Sequence, residues 1–238
     1  MKAWTGILGD IDWKGVARIY SNAFLTPTDW KSHFKNILHR ALFTYTKDRD
    51  APSRLCRMCK RGFDSIRHIP QCSRLDPLWN NFLALINSLG YETPTNPIDR
   101  DRLLTFGVGA TPRGAQGYGK ALLPPALINL LLLIWKFLII EFFEAGTSKH
   151  KVDTEKIWTT AWRWLVTRVN ARSHMEGSKL RQAMIRNTTY KNKSAHKLLA
   201  PLASYSDHAC ITWNSHALRI IKELKLVNLA QDTPIPPT

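Results

Sequence analysis

Apolar positions recur at helical spacing along most of the chain. After a possible cap at Thr28, residues Trp30, Phe34, Ile37, Leu38 and Leu42 step through 29–46 at intervals of three and four, which predicts an amphipathic helix. Trp13, Val16, Ala17 and Tyr20 predict a shorter one over 12–24. A helix over 74–89 ends at Gly90, as a left-handed glycine cap would end it. Further helices are predicted at 124–145 and 152–174, with Gly146 and Gly177 as stops, and shorter ones near 178–187, 194–204 and 214–227. Strand signals are few: Leu103–Val108 and Cys210–Trp213 are the candidates. There is no internal repeat. The expected fold class is therefore mostly α.

Polar punctuation divides this pattern into four parts. Residues 1–53 form an N-terminal helical segment closed by the polar loop KDRDAPSRL (47–55). Residues 54–90 hold three of the four cysteines. Residues 91–120 read as a linker, with prolines at 94 and 97 and the glycine-rich stretch GVGATPRGAQGYGK. Residues 121–238 form a basic helical region with a frayed tail, DTPIPPT.

One stretch, ALINLLLLIWKFLIIEFF (126–143), is apolar on nearly every side. Its length approaches that of a membrane span. Asn129, Lys136 and Glu141 lie inside it, and each central charge costs about 2.5–3.5 kcal/mol of insertion energy. The stretch is expected to be the central helix of an α-helical core, and membrane association is not expected. The opening MKAWTGILGDIDWKG has acidic residues and no long apolar run, so it does not read as a signal peptide.

Charge changes the picture more than composition does. The chain has 238 residues, 34 Lys and Arg against 18 Asp and Glu, a net charge of +16, and a pI near 10.0. Such an excess favours a polyanionic partner. Half of it lies in 151–200, which carries 11 basic and 3 acidic side chains. There, Trp158, Trp162, Leu165 and Val169 form one helical face, and Arg163, Arg168 and Arg172 lie off it. With Lys179, Arg181 and Arg186 these arginines are candidates to track a phosphate backbone, and Trp164 is a candidate to stack on an exposed base.

The most specific chemistry is Cys56-Arg-Met-Cys59, then His68, then Cys72, a C-x2-C-x8-H-x3-C pattern. Two cysteines two residues apart reach one ion through a tight turn, and a His and Cys three apart converge from one helical turn. This Cys3His set suits tetrahedral zinc, and a site closed by four protein ligands is structural. Arg54, Arg57, Lys60, Arg61 and Arg67 surround it; they favour thiolates and offer charge to phosphate. Four cysteines in a chain this long do not make a disulfide scaffold, which fits an intracellular location, nuclear or cytoplasmic. The expected architecture is a helical domain with one Cys3His zinc knuckle between helices.

These residues resemble the zinc-binding region that follows the polymerase domain in LINE-type (non-LTR) retroelement reverse transcriptases. The matching pieces are the helix Trp30 to Leu42, Cys56, Cys59, His68-Ile69, Cys72 and Trp79, with a weaker likeness of Leu130–Lys136 to the aliphatic Trp-containing helix that often follows. The likeness is good over roughly 28–90. The His68-to-Cys72 spacing is one residue shorter than is common in that family. The resemblance implies a module that helps a polymerase grip RNA or DNA, or a stand-alone relative, with an upstream polymerase domain or another protein as a further partner.

The sequence holds no polymerase acidic motif, Tyr or Phe followed by x-Asp-Asp, so two-metal phosphoryl transfer is not expected. GAQGYGKA (114–121) matches a phosphate loop except that Ala121 stands where Ser or Thr would hold Mg2+. Asp207 with Glu223-Leu-Lys225 is similar to the acids of restriction-like nucleases, but SHALRIIKELKL predicts an amphipathic helix where those acids need strands. His208, Cys210 and His216 match no strong metal spacing. Nucleic-acid binding is the leading expectation. A protein-interaction module docking through 126–143, or a nuclease remnant, is the alternative.

Overall fold

The structure is a computed structural model and describes residues 53–114, 123–147, 152–185, 199–205 and 211–230, with Trp4, Leu8, Trp13, Lys14 and Val16 ahead of them. The helix expected over 29–46 and the loop 115–122 lie outside the described residues, as do Asp207, His208 and Cys210. The elements in chain order are α1 (Asp76–Ser88), β1 (Tyr91–Glu92), α2 (Pro97–Phe106), β2 (Thr111–Pro112), α3 (Pro125–Thr147), α4 (Thr154–Ile185), β3 (Ala203–Tyr205), β4 (Ile211–Trp213), α5 (Ser215–Glu223) and α6 (Val227–Ala230). The strands make two small antiparallel pairs, β1 with β2 and β3 with β4. The fold is mostly α, as the periodicity implies.

The core is built on α3. Residues Ala126 to Trp135 are all buried, and the apolar stretch Pro125–Phe142 is 78% buried within the protein. Its polar residues have partners, except that the buried Asn129 Oδ1 accepts no hydrogen bond from the described residues. Asn129 Nδ2 donates to the Pro125 carbonyl of its own helix at 2.8 Å. Glu141 is buried and pairs with Lys156 Nζ of α4 at 2.6 Å. Lys136 reaches the surface over the Trp164 ring. A helix buried all round needs no polar face, so its composition follows from its place in the middle of the fold. Between Pro125 and Phe142, Lys136, Phe137 and Ile140 come partly to the surface beyond the first turn.

Around α3 the other helices bury the stripes read from the sequence. In α4, Trp158, Trp162, Leu165 and Val169 face inward, and the helix packs along α3. In α1, Leu78, Trp79, Phe82, Leu85 and Ile86 are buried. Each such side chain contributes about 1.5–3 kcal/mol relative to exposure. Two indoles tie the layers together. Trp79 Nε1 donates to the Ile69 carbonyl at 3.3 Å, and Trp135 Nε1 to the Leu104 carbonyl at 2.7 Å, with ring centroids 5.8 Å apart.

Three local expectations are corrected. The stretch read as a linker contains β1, α2 and β2, and the strand candidate Leu103–Val108 is helical through Phe106. Helix α2 starts on Asn96, whose Oδ1 accepts from Ile98 N at 2.8 Å, with Pro97 in the first turn, and it ends at Gly107 (φ +70°). A β-carbon at Gly107 would stand 3.1 Å from Ile128 of α3. No regular stripe marks α2, because it buries the successive residues Leu103 to Phe106. Finally, α4 runs through Gly177 to Ile185. One interior glycine costs a helix about 1 kcal/mol, too little to stop one of this length.

Candidate metal centre

The four ligands sit in a short hairpin and the turns after it. Leu55 and Phe63 pair as an antiparallel bridge, with Cys56 N donating to the Gly62 carbonyl (3.0 Å) and Asp64 N to the Arg54 carbonyl (2.9 Å). The tip is the C-x2-C turn, closed by Lys60 N donating to the Cys56 carbonyl at 2.8 Å. Lys60 (φ +57°) and Gly62 (φ +61°) are both left-handed, which turns the chain back after Cys59 so that 62–64 returns alongside 54–56. Two 3-10 turns follow, Ile69–Gln71 and Ser73–Leu75, and Cys72 lies between them. Pro70 in the first turn and the Trp79 bond to Ile69 fix the approach of Cys72.

One sulfur each from Cys56, Cys59 and Cys72 and one ring nitrogen of His68 all lie within 4.8 Å of one another. Cys56 Sγ and Cys72 Sγ are 3.9 Å apart, and Cys59 Sγ is 3.1 Å from His68 Nε2. Cys56 and Cys72 are buried, whereas Cys59 and His68 are half-buried. The cysteines are free thiols. Among the described residues this is the one group of His, Cys, Asp and Glu whose ligand atoms converge closely enough to hold a metal ion.

Backbone N–H groups already point at the sulfurs. Cys56 receives those of Met58 and Cys59, Cys72 that of Arg74, and Cys59 that of Arg61 at 3.3 Å. Every sulfur therefore has a donor two residues ahead of it, which favours negative charge on Cys56 and Cys72, whereas Cys59 Sγ also donates to the Arg61 carbonyl at 2.9 Å and is held there as a thiol. The Cys56 thiol is lowered to about 5, first by its contact with the Cys72 sulfur and then by those N–H groups, against the opposing effect of burial. Cys72 is pushed up, first by Cys56 and next by burial. The site thus holds one thiolate readily and resists a second negative charge, which a cation among the sulfurs would neutralise.

The surrounding basic residues divide into two groups. Arg57 is turned inward. Its Nε and Nη2 both donate to Asp64 Oδ2, at 3.0 and 2.8 Å, and its guanidinium lies 4.2 Å from the centre of the Phe142 ring on α3. Arg57 was expected to face phosphate; it is instead a buried tie between the hairpin and the core, because Asp64 and Phe142 together satisfy its charge and its flat face. Arg54, Lys60, Arg61 and Arg67 are exposed, and Arg74 joins them. None of these five is ion-paired with a described carboxylate.

The second basic group is partly described. Arg163 and Trp164 are exposed on α4. The Trp164 ring is 4.7 Å from Lys136 Nζ, 5.6 Å from the Arg168 guanidinium, and next to Phe137 at 6.2 Å. Arg172, Lys179 and Arg181 belong to the part of α4 whose side chains lie outside the described residues, and Arg186 lies outside them altogether. Glu223 ends α5, paired with Arg219 at 3.8 Å, on a helix as its periodicity implies. It borders an open groove of about 520 Å3 between α1, α4 and α5. Spacing alone did not single out Phe63 or Arg74. The signal for Phe63 was an aromatic within a polar, non-periodic loop.

Comparison of the chain with protein-family models, with curated proteins and with solved structures finds no match.

Proposed function

We propose that this chain is a nucleic-acid-binding module organised by a structural zinc ion, intracellular and without catalysis of its own at the metal. The ligand set and its size support zinc. Zinc–sulfur bonds of about 2.3 Å in a tetrahedron set sulfurs about 3.8 Å apart. The Cys56 and Cys72 sulfurs are 3.9 Å apart. Three thiolates and an imidazole leave no open position for a substrate. Ligation by Cys56, Cys59 and Cys72 requires them as thiols, which fits a compartment that keeps cysteines reduced.

The observation that carries the binding reading is the ring of exposed cations on this small site. Arg57 and Asp64 cancel each other inside, while Arg54, Lys60, Arg61, Arg67 and Arg74 stay outside, none of them ion-paired with a described carboxylate, Asp101 being near enough only to feel the charge of Arg67. Cations fixed this way on a rigid hairpin gain most from a partner carrying regularly spaced phosphates. The resemblance to the zinc-binding region of LINE-type reverse transcriptases points the same way, towards RNA or DNA held for an upstream polymerase domain.

The test is anisotropy of labelled RNA and DNA titrated with the metal-loaded chain at several salt concentrations. Each phosphate neutralised contributes about −0.7 to −0.9 to the slope of log K against log salt, so four engaged cations give about −3. Arg61→Ala and Arg67→Ala are each expected to reduce the slope by about one. A flat salt dependence, or variants that leave the slope unchanged, would overturn the reading.

A further inference from the structure

The hairpin that holds the metal also forces one aromatic ring outward. Neighbouring residues of a strand point to opposite sides. Cys56 turns in to the ligand cluster and Asp64 turns in to Arg57, so the adjacent bridged pair, Leu55 and Phe63, must turn out. Phe63 is 66% exposed and Leu55 47%, and Phe63 is the most exposed large apolar side chain among the described residues. No described ring or cation contacts Phe63. Trp164 differs, since Lys136 and Arg168 already lie against its ring.

The neighbours of Phe63 define what would cover it. Arg54, Lys60 and Arg61 belong to the same hairpin and Arg67 to the next turn, all exposed and outside any described ion pair. An apolar protein surface laid on Phe63 would strip water from these cations and return nothing to them. A nucleotide supplies both halves, a flat base for the ring and a phosphate for the charges. In a duplex the base faces are already stacked on each other, so an exposed ring can use only an unpaired base.

We propose that Phe63 is a base-stacking residue and that the metal hairpin selects single-stranded nucleic acid, with Arg54, Lys60, Arg61 and Arg67 along its phosphates. The inference rests on the nucleic-acid reading above and adds to it the strand state and the residue that reads it.

The experiment compares the metal-loaded full chain with Phe63→Ala, Phe63→Leu and Phe63→Trp. The probes are a labelled oligo-uridylate, an oligo-thymidylate and a blunt duplex of equal length. Metal content and thermal midpoint confirm that each variant is folded, which an exposed position allows. Phe63→Ala is expected to weaken single-strand binding on the order of tenfold while leaving the salt slope and duplex binding unchanged. Phe63→Trp should bind at least as well as the parent, and Phe63→Leu, apolar but without a ring, should resemble Phe63→Ala. If Phe63→Ala or Phe63→Leu binds single strands like the parent, stacking is overturned, even where Arg61→Ala still lowers the slope and the broader reading stands. Self-association that Phe63→Ala abolishes, with single-strand binding intact, would assign the ring to a second copy and overturn it equally. A parent chain that binds none of the three probes would defeat the broader reading and this inference together.

Discussion

A β-carbon placed on Gly62 would stand 3.0 Å from the His68 ring, in a backbone conformation (φ +61°) that L-residues rarely adopt. Gly62→Ala therefore carries two penalties: about 1–2 kcal/mol for the left-handed backbone, and a displaced metal ligand. The expected outcome is a lower thermal midpoint and weaker metal retention in competition with a chelating dye; a variant matching the parent in both would contradict the geometry. At this scale the clustering of Cys56, Cys59, His68 and Cys72 was legible, because C-x2-C and H-x3-C are local spacings that can reach one ion whatever surrounds them. The direction of the arginines was not. Arg57 reads like its basic neighbours, and only Asp64 and the distant Phe142 ring turn it inward. Phe63 was missed for the converse reason, since its exposure follows from the inward turn of Asp64 beside it.

Among elements, the pairing of α3 with α4 explains how an almost wholly apolar helix tolerates an acid. Glu141 is buried, and Lys156 meets it from the first turn of α4 at 2.6 Å, with more than half of the Lys156 side chain exposed. Lys156→Ala removes that partner from a carboxylate still held inside. The expected loss is about 1–2 kcal/mol by denaturant unfolding, below the range for a fully buried pair because water reaches Lys156. Combined with Glu141→Gln, the loss should be less than additive. An unchanged midpoint for Lys156→Ala would show that the pair carries no weight. The long helices were legible from their stripes, whereas α2 was not. A short helix that buries a run of consecutive residues leaves no stripe, and its only local marks were Asn96 and Pro97, which also suit a loop.

At the scale of the molecule, the metal segment packs on a core whose two longest helices also meet each other directly. Ile69, Leu75 and Trp79 connect it to α1, and Arg57 connects it to α3, while α3 and α4 pack on each other through their own apolar faces. Stripping the ion with a strong chelator is therefore expected to abolish hydrogen-exchange protection at the amides of Cys56, Lys60 and Asp64. Most of the far-ultraviolet helical signal should remain, and the thermal midpoint should fall. Loss of the helical signal together with the metal would mean that the ion organises the whole fold. The mostly helical class was legible from the chain as a whole, because helices form locally. How 54–72 sits on the core was not, since that depends on contacts between residues far apart in the chain.

The ligands also have a consequence for the order of events during synthesis. All four fall within residues 56–72, and the two 3-10 turns that present Cys72 follow at once. The loops that an ion held there would close are short, so little chain entropy would oppose their closure. The complete ligand set leaves the ribosome before α3 and α4 exist, and domains begin to fold from the end made first. Metal can thus be loaded onto a nascent hairpin. A hairpin loaded at that stage would let Arg57 pair with Asp64 before Phe142 is made, so that the central helix would meet a partner already in shape.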